Sequence, residues 1–121
     1  MTILLDHCLD WRLKRFLPGH QVRATFEMGW DLLSNGRLLS LAEAQFDVFL
    51  TVDRGIKYQQ NIAGRSIAVI TLRAVNNRIE THRPLMPQVL ALLPAVEPGQ
   101  VYFVPPQDET ENEQPDASAS G

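Results

Sequence analysis

The chain has 121 residues, 45% apolar and 21% charged, a composition suited to one globular domain, and no apolar run approaches the ~18 residues a membrane span needs. Its net charge of −3 is unevenly spread: Asp108, Glu109, Glu111, Glu113 and Asp116 place five of the 14 acids in the last fifteen residues, and all 11 Lys and Arg precede them, so residues 1–106 carry nine acids and a net +2. The lone cysteine, Cys8, excludes an internal disulfide and fits a reducing, cytoplasmic compartment, and the N-terminus lacks the basic start and small-residue cleavage site of a secretory signal.

Thr2 to Leu5 is a continuous apolar run ending at Asp6, the pattern of a strand buried on both faces. Leu9, Leu13, Phe16 and Leu17 recur at helical spacing, with Arg12, Lys14 and Arg15 mostly opposite, until Pro18-Gly19 stops the helix. His20 to Thr25 reads as a short second strand. Ser34 or Asn35 caps a helix whose inner face is Leu38, Leu39, Leu41, Ala42 and Phe46. Asp47 to Val52 is a third strand, followed by Asp53 and a short helix over Gly55 to Ile62. Ser66 to Leu72 is a fourth strand. Arg78 to Leu93 is helical, with Pro84 and Pro87 restricting its early turns, and Gln100 to Val104 is a last strand. Strands alternating with helices predict an α/β domain over residues 1–105, three layers with a parallel sheet flanked by helices and right-handed crossovers. Residues 106–121, polar and acidic without a large apolar side chain, are expected to be a disordered tail.

In an open parallel sheet, ligands bind beyond the carboxyl ends of the strands. Asp6 and Asp53 occupy such positions, and they converge in one crevice if the first and third strands are neighbours. Two anions held together need a neutralising partner, for which a proton, an Arg or Lys, or a divalent cation would serve, and magnesium suits an all-oxygen site. An Asp at a strand end is also a common cap or turn former, so spacing alone leaves both roles open. Asp10, about one helical turn beyond Asp6, could face the same crevice. Arg54 and Lys57 could hold a phosphate backbone beside it, or simply solvate a helix start. His7 adjoins Asp6, but strand alternation would send the two side chains to opposite faces. The histidines and Cys8 lack the paired spacings of a zinc module, and no phosphate-binding glycine loop is present.

Met1-Thr2-Ile3-Leu4-Leu5-Asp6 and Leu13-Lys14-Arg15-Phe16-Leu17-Pro18-Gly19-His20 resemble the start of bacterial PIN-like proteins, relatives of VapC-type toxin nucleases. The resemblance continues through Glu27-Met28-Gly29-Trp30, Ser34-Asn35-Gly36-Arg37-Leu38-Leu39, Phe46 to Arg54, Tyr58 to Arg65, Ile67-Ala68-Val69 and Pro98 to Val101, in order and with similar gaps. It implies a PIN-like fold, an acidic cluster holding magnesium or manganese, cleavage of RNA, a cognate antitoxin as partner and self-association into homodimers. Asp6 and Asp53 match two acids of that cluster.

Two departures stand out. His7-Cys8-Leu9-Asp10 replaces the Glu-Asn-Leu-Pro usual in relatives, and Arg37 stands where they carry Glu. A guanidinium keeps its charge at every accessible pH. Arg37 could therefore take the metal's place beside Asp6 and Asp53, leaving a catalytically inactive binding module. It could instead contact RNA phosphate, while Asp10, Glu27 or Asp31 completes the ligand set.

Overall fold

The computed structural model describes residues 1–56 and 60–106. Five strands form one wholly parallel sheet: β1 (Thr2–Leu5), β2 (Gln21–Ala24), β3 (Val48–Thr51), β4 (Ala68–Leu72) and β5 (Val101–Val104), in the order β2-β1-β3-β4-β5. The uninterrupted apolar runs of β1, β3 and β4 follow from this place in the sheet. Central parallel strands are covered on both faces, so neither face needs polar residues.

Register and alternation divide the core in two. Ile3, Val48 and Ala68 lie side by side, as do Leu5, Leu50 and Ile70. They face one layer, closed by Leu9, Leu13 and Leu17 and by Met86, Val89 and Leu93. The intervening Leu4, Phe49 and Val69 face the other, closed by Leu38, Leu39, Ala42, Phe46, Ile56, Ile62 and Ile67. The first layer contains a 3-10 helix, Trp11–Phe16, and the helices α2 (Ile79–His82) and α3 (Met86–Leu92); the second contains α1 (Asn35–Ala42). The result is the expected three-layer α/β domain.

The structure differs from expectation in local detail. The amphipathic stretch around Leu13 winds as a 3-10 helix instead of an α-helix. The helical run after Arg78 is broken by a 3-10 turn over Arg83–Leu85 and ends in another over Leu93–Ala95. Pro84, Pro87 and Pro94 lack the amide hydrogen needed for a continuous α-helical ladder. Lys57, Tyr58 and Gln59, within the helix expected over Gly55 to Ile62, lie outside the described residues, as does the expected disordered tail beyond Pro106.

The crossovers do not all share one hand. The β1–β2 connection crosses the first layer toward one edge of the sheet. The β2–β3 and β3–β4 connections cross the opposite layer in the opposite direction, which preserves the hand. The β4–β5 connection steps in that same direction but returns over the first layer, so its hand is reversed. Its helices thereby pack beside the Trp11–Phe16 helix, where Arg83 lies 5.3 Å from the Phe16 ring centre. The turn into β5 requires Gly99: its φ is +83°, and a Cβ there would sit 2.7 Å from the Ala63 carbonyl oxygen.

Among the described residues, no helix is long and apolar enough to cross a membrane. The packing predicts that Leu50→Ala, at a fully buried position of a central strand, lowers the unfolding free energy by about 3 kcal/mol in urea denaturation. Leu32→Ala, at a position 94% exposed, changes it by no more than about 0.5 kcal/mol.

Candidate functional site

The direction of winding reverses between β1 and β3. The chain leaves β1 over one face and enters β3 from the other, opening a crevice beyond their carboxyl ends, the usual ligand position in an open parallel sheet. Asp6 is the first residue past β1, anchored by its amide donating to the Leu50 carbonyl at 2.9 Å. Its carboxylate is buried. The Thr51 hydroxyl, at the end of β3, donates to Asp6 Oδ2 at 2.6 Å and accepts from the Asp53 amide at 3.1 Å. Asp53 in turn accepts from the Gly55 amide at 2.9 Å and from Asn35 Nδ2 at 3.2 Å. One connected network thus joins β1, β3, the loop after β3 and the first residue of α1.

The strand period of two explains the shared face. Asp6 continues the row of Leu4, and Thr51 that of Phe49, so both project toward the α1 layer. Thr71 pairs with Thr51 in register, and Thr25 follows Ala24, the partner of Leu5. Both of these hydroxyls are buried and without a hydrogen-bond partner among the described residues. Thr51 and Asn35 were not singled out from the sequence as site residues. The signal available for Thr51 was its spacing two residues before Asp53 on an otherwise apolar strand.

The expected site residues divide. Asp6 and Asp53 are joined through Thr51. Asp10 goes elsewhere: it caps the Trp11–Phe16 helix, accepting from the Arg12 amide at 2.9 Å and pairing with the Arg12 guanidinium at 2.6 Å. Those Arg12 hydrogen bonds, first from the side chain and then from the amide, hold Asp10 down to a pKa of about 2. Glu27 is likewise engaged, with Lys14 at 3.0 Å and the Ala24 amide at 2.8 Å. No group of three or more His, Cys, Asp or Glu among the described residues is arranged to hold a metal ion.

Arg37 is exposed and makes no ion pair with Asp6 or Asp53 among the described residues, so the guanidinium does not fill the crevice. Arg54 is exposed immediately after Asp53, while Lys57 lies outside the described residues. His7 corrects an expectation. Its amide donates to Asp6 Oδ1 at 2.7 Å, and its ring Nδ1 lies 3.0 Å from the same oxygen. Strand alternation fails here because the chain turns at Asp6, whose carbonyl accepts from the Leu9 amide at 3.0 Å.

Comparison with known proteins finds no match: no family model, no curated protein and no solved structure resembles this chain significantly.

Cys8 reports the electrostatics of the crevice. Burial and then the negative charge of Asp6 push its thiol up to about 11. At pH 8 the thiol is therefore protonated and unreactive, and alkylation by iodoacetamide is expected to rise steeply only toward pH 11. Asp6→Asn removes the charge that opposes thiolate formation, so it is expected to lower the apparent pKa and speed alkylation at pH 8. An unchanged pH–rate profile would contradict this placement of Asp6.

Proposed function

We propose that this chain is a PIN-like toxin-type protein whose crevice supports a degenerate, magnesium-dependent cleavage of RNA. The observation that carries the reading is the Thr51 hydroxyl at the switch point of the sheet, which donates to the Asp6 carboxylate and accepts from the Asp53 backbone amide. An all-oxygen set of two carboxylates suits magnesium or manganese, because magnesium keeps several of its own waters and uses few protein ligands. Such an ion, when bound, acidifies a water and offsets charge on a phosphodiester.

The protein's own residues provide the rest. Asp6 and Asp53 bind, Thr51 and His7 fix the Asp6 carboxylate, and Asn35 with the Gly55 amide fixes that of Asp53. Arg54 and Arg37, exposed and bearing unpaired charge among the described residues, are the groups for the RNA backbone. This reading brings with it a cytoplasmic setting, a cognate antitoxin as partner and self-association as a homodimer. The strand order alone does not select it, since doubly wound domains host many unrelated activities.

A second reading, a binding module without catalysis, is favoured by one observation. Each of the four carboxylate oxygens of Asp6 and Asp53 already accepts a hydrogen bond from the protein. A cation must compete with those donors.

Calorimetry with manganese and an RNA cleavage assay separate the two. The nuclease reading predicts a single manganese site, weakened on the order of 10- to 100-fold in Thr51→Val and retained in Thr51→Ser. It predicts slow wild-type cleavage that falls on the order of a hundredfold in Asp6→Asn and in Asp53→Asn, and that rises when Arg37→Glu restores a third carboxylate. Absence of cleavage in both the wild type and the Arg37→Glu variant would leave the binding-module reading.

A further inference from the structure

The carboxyl edge of the sheet carries a second feature, on the β1–β2 side of Asp6. Trp11 is 46% exposed and Phe26 56% exposed, two large aromatic side chains left open to solvent on segments that follow the carboxyl ends of β1 and β2. Trp11 is the first residue of the 3-10 helix Trp11–Phe16, in the connection after β1, and Phe26 is the second residue of the 3-10 helix Thr25–Met28, directly after β2. Neither is needed by the core, which takes Leu9, Leu13 and Leu17 from the first segment and Met28 and Trp30 from the second.

The local winding sets their placement. Three residues per turn align positions i and i+3 on one side of a 3-10 helix. Lys14 is thereby held above Trp11, its Nζ 5.9 Å from the ring centre. The same Nζ lies 3.0 and 3.2 Å from the two carboxylate oxygens of Glu27, the neighbour of Phe26. The segments that carry the two exposed rings are thus tied together by the Lys14–Glu27 ion pair, in which Glu27 partly neutralises the cation over Trp11. Across Asp6, on the β3 side, stands the exposed Arg54.

We propose that Trp11 and Phe26 form a stacking platform for unpaired bases of single-stranded RNA, which leads the strand past Asp6 toward Arg54. This rests on the RNA reading above and names its substrate form. An aromatic face accepts any base, whereas a duplex keeps its bases stacked inward and offers none. A protein partner would call for a continuous apolar patch, but here the Trp11 ring stands against the cation of the Lys14–Glu27 ion pair. The strongly exposed aliphatic residues Leu32 and Val75 belong to other loops, after β2 and after β4.

The test is binding of a fluorescein-labelled oligouridine of roughly 12 nucleotides, followed by anisotropy in EDTA so that no metal or cleavage is involved. Trp11→Ala and Phe26→Ala are each expected to weaken binding roughly tenfold, with Trp11→Phe close to wild type and Leu32→Ala unchanged. Binding should quench tryptophan emission, and the quench should vanish in Trp11→Phe, since the remaining Trp30 packs edge-on to Phe46 with ring centres 6.1 Å apart. A duplex of the same length should bind more weakly than the single strand.

Unchanged affinity in both alanine variants, or no affinity for the single strand in the wild type, would overturn the platform. A concentration-dependent dimer that Trp11→Ala abolishes, with RNA affinity intact, would overturn it in favour of a contact between copies. The two readings fail separately. Cleavage that persists with unaltered RNA binding in Trp11→Ala removes only the platform. Binding lost in Trp11→Ala, with no cleavage by any variant, removes only the nuclease.

Discussion

A single hydroxyl organises the carboxyl edge of this sheet. Thr51 donates to a buried carboxylate on the neighbouring strand and accepts from the amide that opens the next loop. A buried carboxylate left without partners carries a large desolvation cost, so Asp6 is tolerable at this depth only while its donors stay in place. The β1–β3 register supplies that condition. A slip of one residue would turn Thr51 away from Asp6 and exchange the two apolar faces as well. Core packing and site geometry are therefore fixed by the same pairing.

The sequence reveals the framework because its strands are short apolar runs and its helices carry apolar stripes. The parallel sheet and the three layers were both legible from it, and β1 and β3 do pair as neighbours. Helix type around Leu13 was not, because Leu13, Phe16 and Leu17 satisfy a three-residue period about as well as a 3.6-residue one. The reversed hand of the β4–β5 crossover left no trace either, since it depends on which face the Met86, Val89 and Leu93 stripe covers.

Sequence spacing singled out Asp6 and Asp53 but not the Thr51, Asn35 and Gly55 groups that hydrogen-bond them. Asp10 illustrates the limit. Expected one helical turn past Asp6 and facing the same crevice, it instead caps the Trp11–Phe16 helix and pairs with Arg12 two residues away. His7 illustrates the converse: alternation argued against its meeting Asp6, and a turn brings it there. In both cases a local hydrogen bond decided the outcome over the regular period of the preceding element. Arg37 is exposed and pairs with neither Asp6 nor Asp53 among the described residues, so its guanidinium does not neutralise the two carboxylates.

The central claim is that Asp6 and Asp53 act as one site through Thr51. Paramagnetic broadening of backbone amide signals on titration with manganese tests it most directly. The account predicts that the amides of His7, Asp53 and Gly55 broaden together at the lowest manganese concentrations, and that Thr51→Val abolishes this joint response. Broadening confined to the acidic residues beyond Pro106, with those three amides untouched, would contradict it.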